Sequence, residues 1–600
     1  MAKKYTGSLS LEWFNKQKSI LVQSAELKAG TDVPAPKVSW VNKDDALFYE
    51  IADDEGLGLA PYWVDRSDLR VKEARPLAFQ KTYRAFETHG EEERFECRES
   101  EEDDATVENI LIRGDNLLAL NALRKAFESR PDEEKVKCIY IDPPYNTGSA
   151  FTQFDDNLAH SEWLTLIRDR LHLLWALLSR DGSLWVSVDD DEMAYLRALM
   201  DEVCGRHSFI ASNVWQKRYS RENREAIGDV HEYVLVYAKD VARFKEIRNK
   251  VPLNDEQAAV YRNPNNDPKG RWRPIPMTAQ EGHATPEQFY EIVAPSGKVF
   301  TPPKGRCWGI AKATFEKLLA EDRIYFGRNG DSQPNIIRYL SEVEGLVPWT
   351  WWPHDEVGHT DEAKKEIHAL FGKVDAFETP KPERLIQRVL EIATNPGDLV
   401  LDCFGGSGTT FAVAHKMGRR WIGMEVGKQT ETYIIPRLKK VLSGEDRGGI
   451  SAAAGWEGGG SFKYYLVGES IIDPSTHEFN WKLGRDFIEN SLLSSYDFTP
   501  DPEFSLNRND LIEVRRQPCV GFHRVGQKQM ACVVSLAEPG KNSSITYDEI
   551  MAWYDDLIKF KGTQSVTFFT NRGVELAYES KPDDLEVIKV PHAIFAELEK

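Results

Sequence analysis

Residues 399–426 read LVLDCFGGSGTTFAVAHKMGRRWIGMEV. A short apolar run enters a glycine-rich turn, a helix-compatible stretch follows, and a second apolar run closes on Glu425. Glycines let the backbone turn tightly and let a ligand approach, and the start of the next helix favours an anion. The spacing resembles the dinucleotide fingerprint G-x-G-x-x-G without matching it. Strands alternating with helices imply a parallel sheet covered on both faces. The same rhythm occurs some 260 residues earlier. Ile110 to Ile112 reads as a strand, Asn116 to Glu128 as a helix, and VKCIYID as a strand buried on both sides. HSEWLTLIRDRLHLLWALLSRDG lines Leu164, Ile167, Leu171, Leu174 and Leu178 on one helical face, with Ser161 capping its start and Gly182 its end. SLWVSVDD, NVWQK and EYVLVYAK then read as closing strands of a mixed sheet. The expected fold is therefore α/β, a doubly wound, mostly parallel sheet whose two halves are separated in sequence by an insert.

A chain of 600 residues exceeds one core, and its size suggests about three to five domains. Texture places the boundaries. Residues 1–85 read as an accessory domain and 86–108 as an acidic linker, with 11 acids against 2 bases. Residues 109–240 form one half of the sheet, 241–378 a Pro-, Trp- and Asn-rich insert, and 379–450 the other half. SAAAGWEGGGS (451–461) reads as a linker to a last region, 462–600. The acidic run is either a solvated spacer or a mimic of a polyanion. The net charge of −20 hides a local excess of bases, 13 against 9 acids, from Asn213 to Arg273. There is no run of 18 apolar residues and no apolar core near the start, so neither a membrane span nor a secretory signal is expected. Seven scattered cysteines without C-x-x-C point to a reducing, cytoplasmic setting, and no metal site is expected.

The second informative stretch is CIYIDPPYNTGS, residues 138–149. Prolines cannot donate to a ladder, so the strand stops at Asp142. Asp-Pro-Pro alone reads as a turn, but the chemistry of an exocyclic amine gives a sharper reading. Such an amine is a poor nucleophile because its lone pair is delocalised into the ring. Two acceptors aimed at its N–H bonds localise that pair toward a methyl donor. Asp142 supplies one acceptor, the Pro143 carbonyl, held by Pro144, the other, and Tyr145 stacks on the base. The rest is positioning and electrostatics.

Asp142-Pro143-Pro144-Tyr145 followed by Phe404-x-Gly406-x-Gly408 resembles the amino-methyltransferases of DNA, and the order resembles their beta class. DPPYNTGSAFTQFDDNLAHSEWL, WWPHDEVGHTDEAKKEI and TPKPERLI are similar to the Mod subunits of type III restriction–modification systems. The resemblance covers residues 105–470. It implies a Rossmann-like methyltransferase fold, a target recognition domain at 241–378, and S-adenosylmethionine as cofactor. By motif, Phe404, Gly406 and Gly408 wrap the cofactor with Asp402, Ser407 and Thr409 beside them. Glu425 takes the ribose hydroxyls, and Lys381 and Pro382 flank the methionyl end. Asp115 is either near the cofactor's adenine or amino group or a helix cap.

The implied substrate is an adenine N6 flipped out of duplex DNA. Asp before Pro-Pro-Tyr favours adenine; cytosine N4 uses the same geometry. Lys217, Arg218, Tyr219, Arg221 and Arg224 follow a core strand and suit phosphates and the flipped base, while Arg271 and Arg273 lie in the recognition insert. His160 and Trp163 read as packing residues. No G-x-x-x-x-G-K-[ST] occurs, so cleavage needs a separate Res-like ATP-dependent subunit. The family further implies a homodimer, with 462–600 offered for dimer or partner contacts. Two other classes compete: a nicotinamide or flavin oxidoreductase, disfavoured by the glycine spacing, and a silent DNA-binding scaffold for a nuclease, disfavoured by intact Asp142 and Tyr145.

Overall fold

The structure is a computed structural model that describes residues 9–12, 37–51, 59–88, 94–128, 130–146, 160–220, 227–372, 377, 379–473, 478–496, 498–500, 519–525, 528–538, 544–559, 563–575 and 582–590. Its centre is an 11-stranded sheet. In chain order the strands are β1 (Leu77–Glu87), β2 (Phe95–Ser100), β3 (Ile110–Arg113), β4 (Val136–Ile141), β5 (Leu178–Val188), β6 (Phe209–Gln216), β7 (His231–Ala238), β8 (Trp351–Trp352), β9 (Leu399–Asp402), β10 (Arg420–Glu425) and β11 (Ser461–Val467). Their order across the sheet is β8-β6-β7-β5-β4-β9-β10-β3-β11-β1-β2. From β5 to β11 every neighbouring pair is parallel; β7 and β1 run antiparallel to the strands beside them. The chain is thus an α/β protein with a doubly wound, mostly parallel sheet.

Alternation along the strands explains the two helical layers. Ile139, Ile141, Leu399, Leu401, Ile422 and Met424 share one buried cluster with residues of α1 (Asn116–Glu128) and α2 (His160–Leu177). The intervening residues face the other way, where Trp421 stacks at 5.3 Å on Phe411 of α4 (Thr409–Lys416). α3 (Glu383–Ala393) and α5 (Ile435–Ser443) pack with α4. Successive strand residues point to opposite faces, so continuous apolar strands must be covered twice.

β4 and β9 are neighbours, registered through Cys138–Val400 and Ile139–Leu401. The Asp-Pro-Pro-Tyr segment and the glycine turn therefore leave the same edge of the sheet side by side. That is the carboxyl end of adjacent parallel strands, where open α/β sheets place ligands.

Several expected boundaries differ from what the structure contains. The acidic run holds strand β2, because Arg84–Arg98 and their neighbours pair β1 to β2 across it. β1 joins the central sheet rather than a separate N-terminal domain, and β11 rather than a C-terminal one. The stretch read as a flexible linker at 451–461 is packed: it forms a helical turn at Ser451–Ala454, and Gly459 N–H donates to the Leu442 carbonyl at 2.8 Å. Three consecutive glycines there, 458 to 460, all have positive φ, which glycine alone adopts without strain. α2 begins one residue before the expected cap Ser161 and ends at Leu177. Gly182 instead lies in β5, where the pairing to β4 jumps from Val136–Leu178 to Cys138–Ser183. A Cβ at Gly182 would stand 3.0 Å from the Val136 carbonyl oxygen.

Residues 249–348 form a second compact unit, narrower than the insert expected at 241–378. It has its own core of Met277, Ile292, Ala294, Trp308, Phe315 and Phe326. Its ends are tied to each other, Val251 and Leu346 exchanging backbone hydrogen bonds of 2.9 and 2.8 Å. The last region carries a five-stranded sheet built from Thr499–Pro500, Cys519–Val525, Lys528–Ser535, Thr563–Thr570 and Leu585–Lys589. Among the described residues no helix is long and apolar enough to cross a membrane.

Candidate active site

The glycine turn is held by its own carboxylates. Asp402 is buried and accepts from the Phe404 N–H at 2.9 Å and the Thr410 hydroxyl at 2.6 Å. Gly406 (φ +51°) and Gly408 (φ +77°) are left-handed, and Gly408 caps α4. Glu425 ends β10 and accepts from Gly406 N–H at 2.8 Å, from Gly427 N–H at 3.0 Å and from the Gln429 amide at 3.0 Å. Burial raises the Glu425 carboxyl above its ordinary range while the Gly427 and Gly406 N–H groups pull it down. Burial raises Asp402 further. A Cβ on Gly406 would meet the Phe377 ring at 3.4 Å, so the turn lies directly beside an aromatic side chain.

At the end of β4 the Asp142 carboxylate is partly exposed, and both of its observed donors reach one oxygen. The Tyr145 hydroxyl lies 2.7 Å and the Lys381 ammonium 2.9 Å from Oδ1. Burial raises the Asp142 pKa; Lys381 and the Tyr145 hydroxyl oppose that shift. The loop is braced from α2, where the Trp163 indole donates to the Pro144 carbonyl at 2.6 Å. This leaves the Pro143 carbonyl as the second acceptor proposed from sequence. Asn146, left-handed at φ +59°, donates to Glu192 at 3.0 Å, and the His160 ring meets the same carboxylate at 2.9 Å.

Lys381 joins the two motifs. Its carbonyl accepts from the Thr409 hydroxyl at 3.3 Å, on the glycine turn, while its side chain reaches Asp142. Its ammonium also lies 4.8 Å from the Tyr145 ring centre and 5.8 Å from that of Trp215. Burial works to lower the Lys381 pKa, but Asp142 and Glu232 outweigh it and raise the group above an ordinary lysine. Ser407 and Thr409 contact each other at 3.1 Å, and Arg437 donates to the Ser407 carbonyl at 3.2 Å and the Thr409 hydroxyl at 2.9 Å. Pro382 caps α3, whose buried Glu383 pairs with Arg437 and Lys416.

Three of the expected site residues have charged partners within the protein. Asp115 caps α1, accepting from Leu117 N–H at 2.7 Å, and both its carboxylate oxygens accept from Nη2 of the buried Arg170 guanidinium, at 3.0 and 2.8 Å. Its carboxylate is spent on an internal ion pair. Lys217 is not presented to phosphates: it pairs with Asp229 at 2.7 Å and lies 3.5 Å from Glu232. Lys381, expected to flank the methionyl end of the cofactor, also turns its ammonium to Asp142. Arg218 and Tyr219 are exposed, the Tyr219 ring 5.4 Å from that of His359. Arg221 and Arg224 lie outside the described residues. Within the 249–348 unit Arg271 is exposed and Arg273 lies 5.1 Å from the Tyr261 ring. The fold also brings Asp190, Asp229 and His231 within 4.8 Å of one another, two exposed carboxylates and a half-buried imidazole, with Asp229 already paired with Lys217.

Sequence reasoning missed Glu232 and the bond made by Trp163. Glu232 sits on the buried phase of β7, with Val234 and Val236. An acid in that phase of an alternating strand was the available signal.

A split doubly wound sheet with Asp-Pro-Pro-Tyr and a glycine turn on adjacent strand ends defines a DNA methylase, and the chain belongs to that family: the DNA methylase family model matches residues 136–435. Among curated proteins it is similar to the type III restriction-modification enzyme StyLTI Mod subunit of Salmonella typhimurium, 33% identical over 56% of this chain and 53% of that one. It is also similar to the HindVI Mod subunit of Haemophilus influenzae, 32% identical over 60% of this chain and 54% of that one. The chain thus spans about half the length of these relatives. Among solved structures, the cytosine-N4-specific PvuII DNA methyltransferase overlaps 56% of this chain and 87% of its own at 17% identity, with a TM-score of 0.30. A global overlap that low has no bearing on which base is modified.

Proposed function

We propose that this protein transfers a methyl group from S-adenosylmethionine to the N6 amine of an adenine flipped out of duplex DNA, as the modification component of a restriction–modification system. The observation that carries the reading is the placement of Asp142 and the glycine turn on neighbouring strand ends, joined by Lys381. The residues fit the cofactor. The Phe377 ring beside the Gly406 turn suits a nucleoside, Glu425 can accept a hydroxyl donor, and Asp142 and Glu232 suit a nearby sulfonium charge. S-adenosylmethionine supplies the electrophilic methyl when bound.

Asp142 and the Pro143 carbonyl accept the two amine N–H bonds and direct the nitrogen lone pair out of the ring. Trp163 and Pro144 fix that geometry. Tyr145 offers its ring to the base, and Arg218 and Tyr219 face the strand from which it came. Arg271 and Arg273 are assigned to DNA contact in the recognition unit. Likeness to Mod subunits supports a homodimer and a separate ATP-dependent nuclease partner, acting on DNA in a prokaryotic cytoplasm.

Asp before Pro-Pro-Tyr and the Mod likeness favour adenine over cytosine N4. Incubation with labelled S-adenosylmethionine and unmethylated genomic DNA, followed by digestion to nucleosides, tests this. Labelled N6-methyladenine is expected. Labelled N4-methylcytosine would reverse the base, and no label with cofactor bound would favour the scaffold reading.

A further inference from the structure

Asp142 Oδ1 already holds two donors, Tyr145 and Lys381. A carboxylate oxygen has two lone-pair sites, so this oxygen is full before any substrate arrives. A second carboxylate lies within reach of both donors. Glu232 Oε2 is 3.1 Å from the Tyr145 hydroxyl and 3.5 Å from the Lys381 ammonium. It comes from the start of β7, whereas Asp142 directly follows β4 and Lys381 precedes α3, so three elements converge. Glu232 is itself held: its Oε1 is 3.5 Å from Lys217, which Asp229 pins at 2.7 Å. Only 11% of the Glu232 side chain is exposed, and a buried charge of that kind is costly unless paired.

We propose that Glu232 is a positioning residue for methyl transfer, the carboxylate onto which Tyr145 and Lys381 turn when the incoming amine takes Asp142 Oδ1. The inference rests on the methyl-transfer reading and names a device within the same site. The phenol has one proton and two acceptors, so donating to Glu232 releases Asp142. The ammonium moves only from one carboxylate toward the other. Without the Glu232 charge, Lys381 has Asp142 as its one close anion among the described residues and stays on Oδ1. The groups that face this pair are Tyr140 and Tyr145 on the β4 side, Asp189 at the end of β5, Lys217 and Asp229 flanking β6 and β7, and Asp402 on β9.

The test uses the full chain with E232Q, which removes the charge, and E232D, which keeps it. Calorimetric affinity for S-adenosylmethionine reports that each variant is folded. Acetylation of Lys381 against pH, read by mass spectrometry, should shift to lower pH in E232Q, since one of its two anions is gone. The single-turnover methylation rate should fall about tenfold or more in E232Q, with cofactor affinity unchanged, and recover in E232D. An unchanged Lys381 profile, or an E232Q rate equal to the parent's, would overturn the proposal. A parent protein that binds cofactor but methylates no DNA would overturn the methyl-transfer reading and the exchange with it, whereas a shifted Lys381 profile would still establish the ion pair.

Discussion

In the proposed reaction Asp142 works as a hydrogen-bond acceptor, so its charge state should set the rate. Burial raises its pKa and Lys381 limits the rise. A protonated Asp142 is a much weaker acceptor for an amine hydrogen bond than the carboxylate. The rate should therefore fall as pH drops through a value above the ordinary aspartate range of about 4. A kcat–pH profile checks this; an acid limb at the ordinary value would contradict it. Asp142→Ala should lower kcat by about 100-fold or more while cofactor affinity measured by calorimetry persists. Asp115 illustrates the opposite case. Asp115→Ala leaves the buried Arg170 charge without its carboxylate, and the loss should be one of stability, about 3 kcal/mol, visible as a lowered Tm. A mainly weakened cofactor affinity with unchanged Tm would restore Asp115 to the site.

At the scale of elements, α2 is more than a cover for the sheet. Its Trp163 holds the loop that β4 releases. Trp163→Phe keeps the apolar ring and removes the donor, worth about 1 kcal/mol. The expected result is a fold that survives and a kcat about tenfold lower, because the Pro143 carbonyl is no longer fixed. Equal kcat would reduce Trp163 to packing. The leucines of α2 were legible from their spacing, since a helix facing a sheet must repeat at three and four residues. Its end was not. Gly182 reads as a stop in sequence, yet the chain enters β5 at Leu178 and takes up the extra residues in an irregular pairing with β4. Only the register of two strands decides that.

At the scale of the whole molecule, the insert 249–348 has its own core and ends that bond to one another. Antiparallel partners of this kind stand about 5 Å apart. Replacing the unit with a short glycine linker should leave S-adenosylmethionine binding intact and abolish selectivity among DNA sequences, as calorimetry and filter binding would show. Loss of cofactor binding would mean that the unit is needed to fold the sheet.

The glycine turn, the Asp-Pro-Pro-Tyr end and the strand–helix rhythm are local. Backbone sterics and hydrophobic period impose them within a few residues, so the sequence by itself determined the fold class and the two halves of the site. What lay beyond it were the partnerships of charged side chains. Lys381 reads as a cofactor neighbour and Lys217 as a phosphate contact, but Lys217 is drawn to a carboxylate just before the next strand and Lys381 to one from the other half of the sheet. Likewise β1, β2 and β11 look like parts of outer regions because nothing local reveals which edge will supply their hydrogen bonds. A buried charge and an unpaired strand edge must each find a partner, and only the tertiary structure decides which one it is.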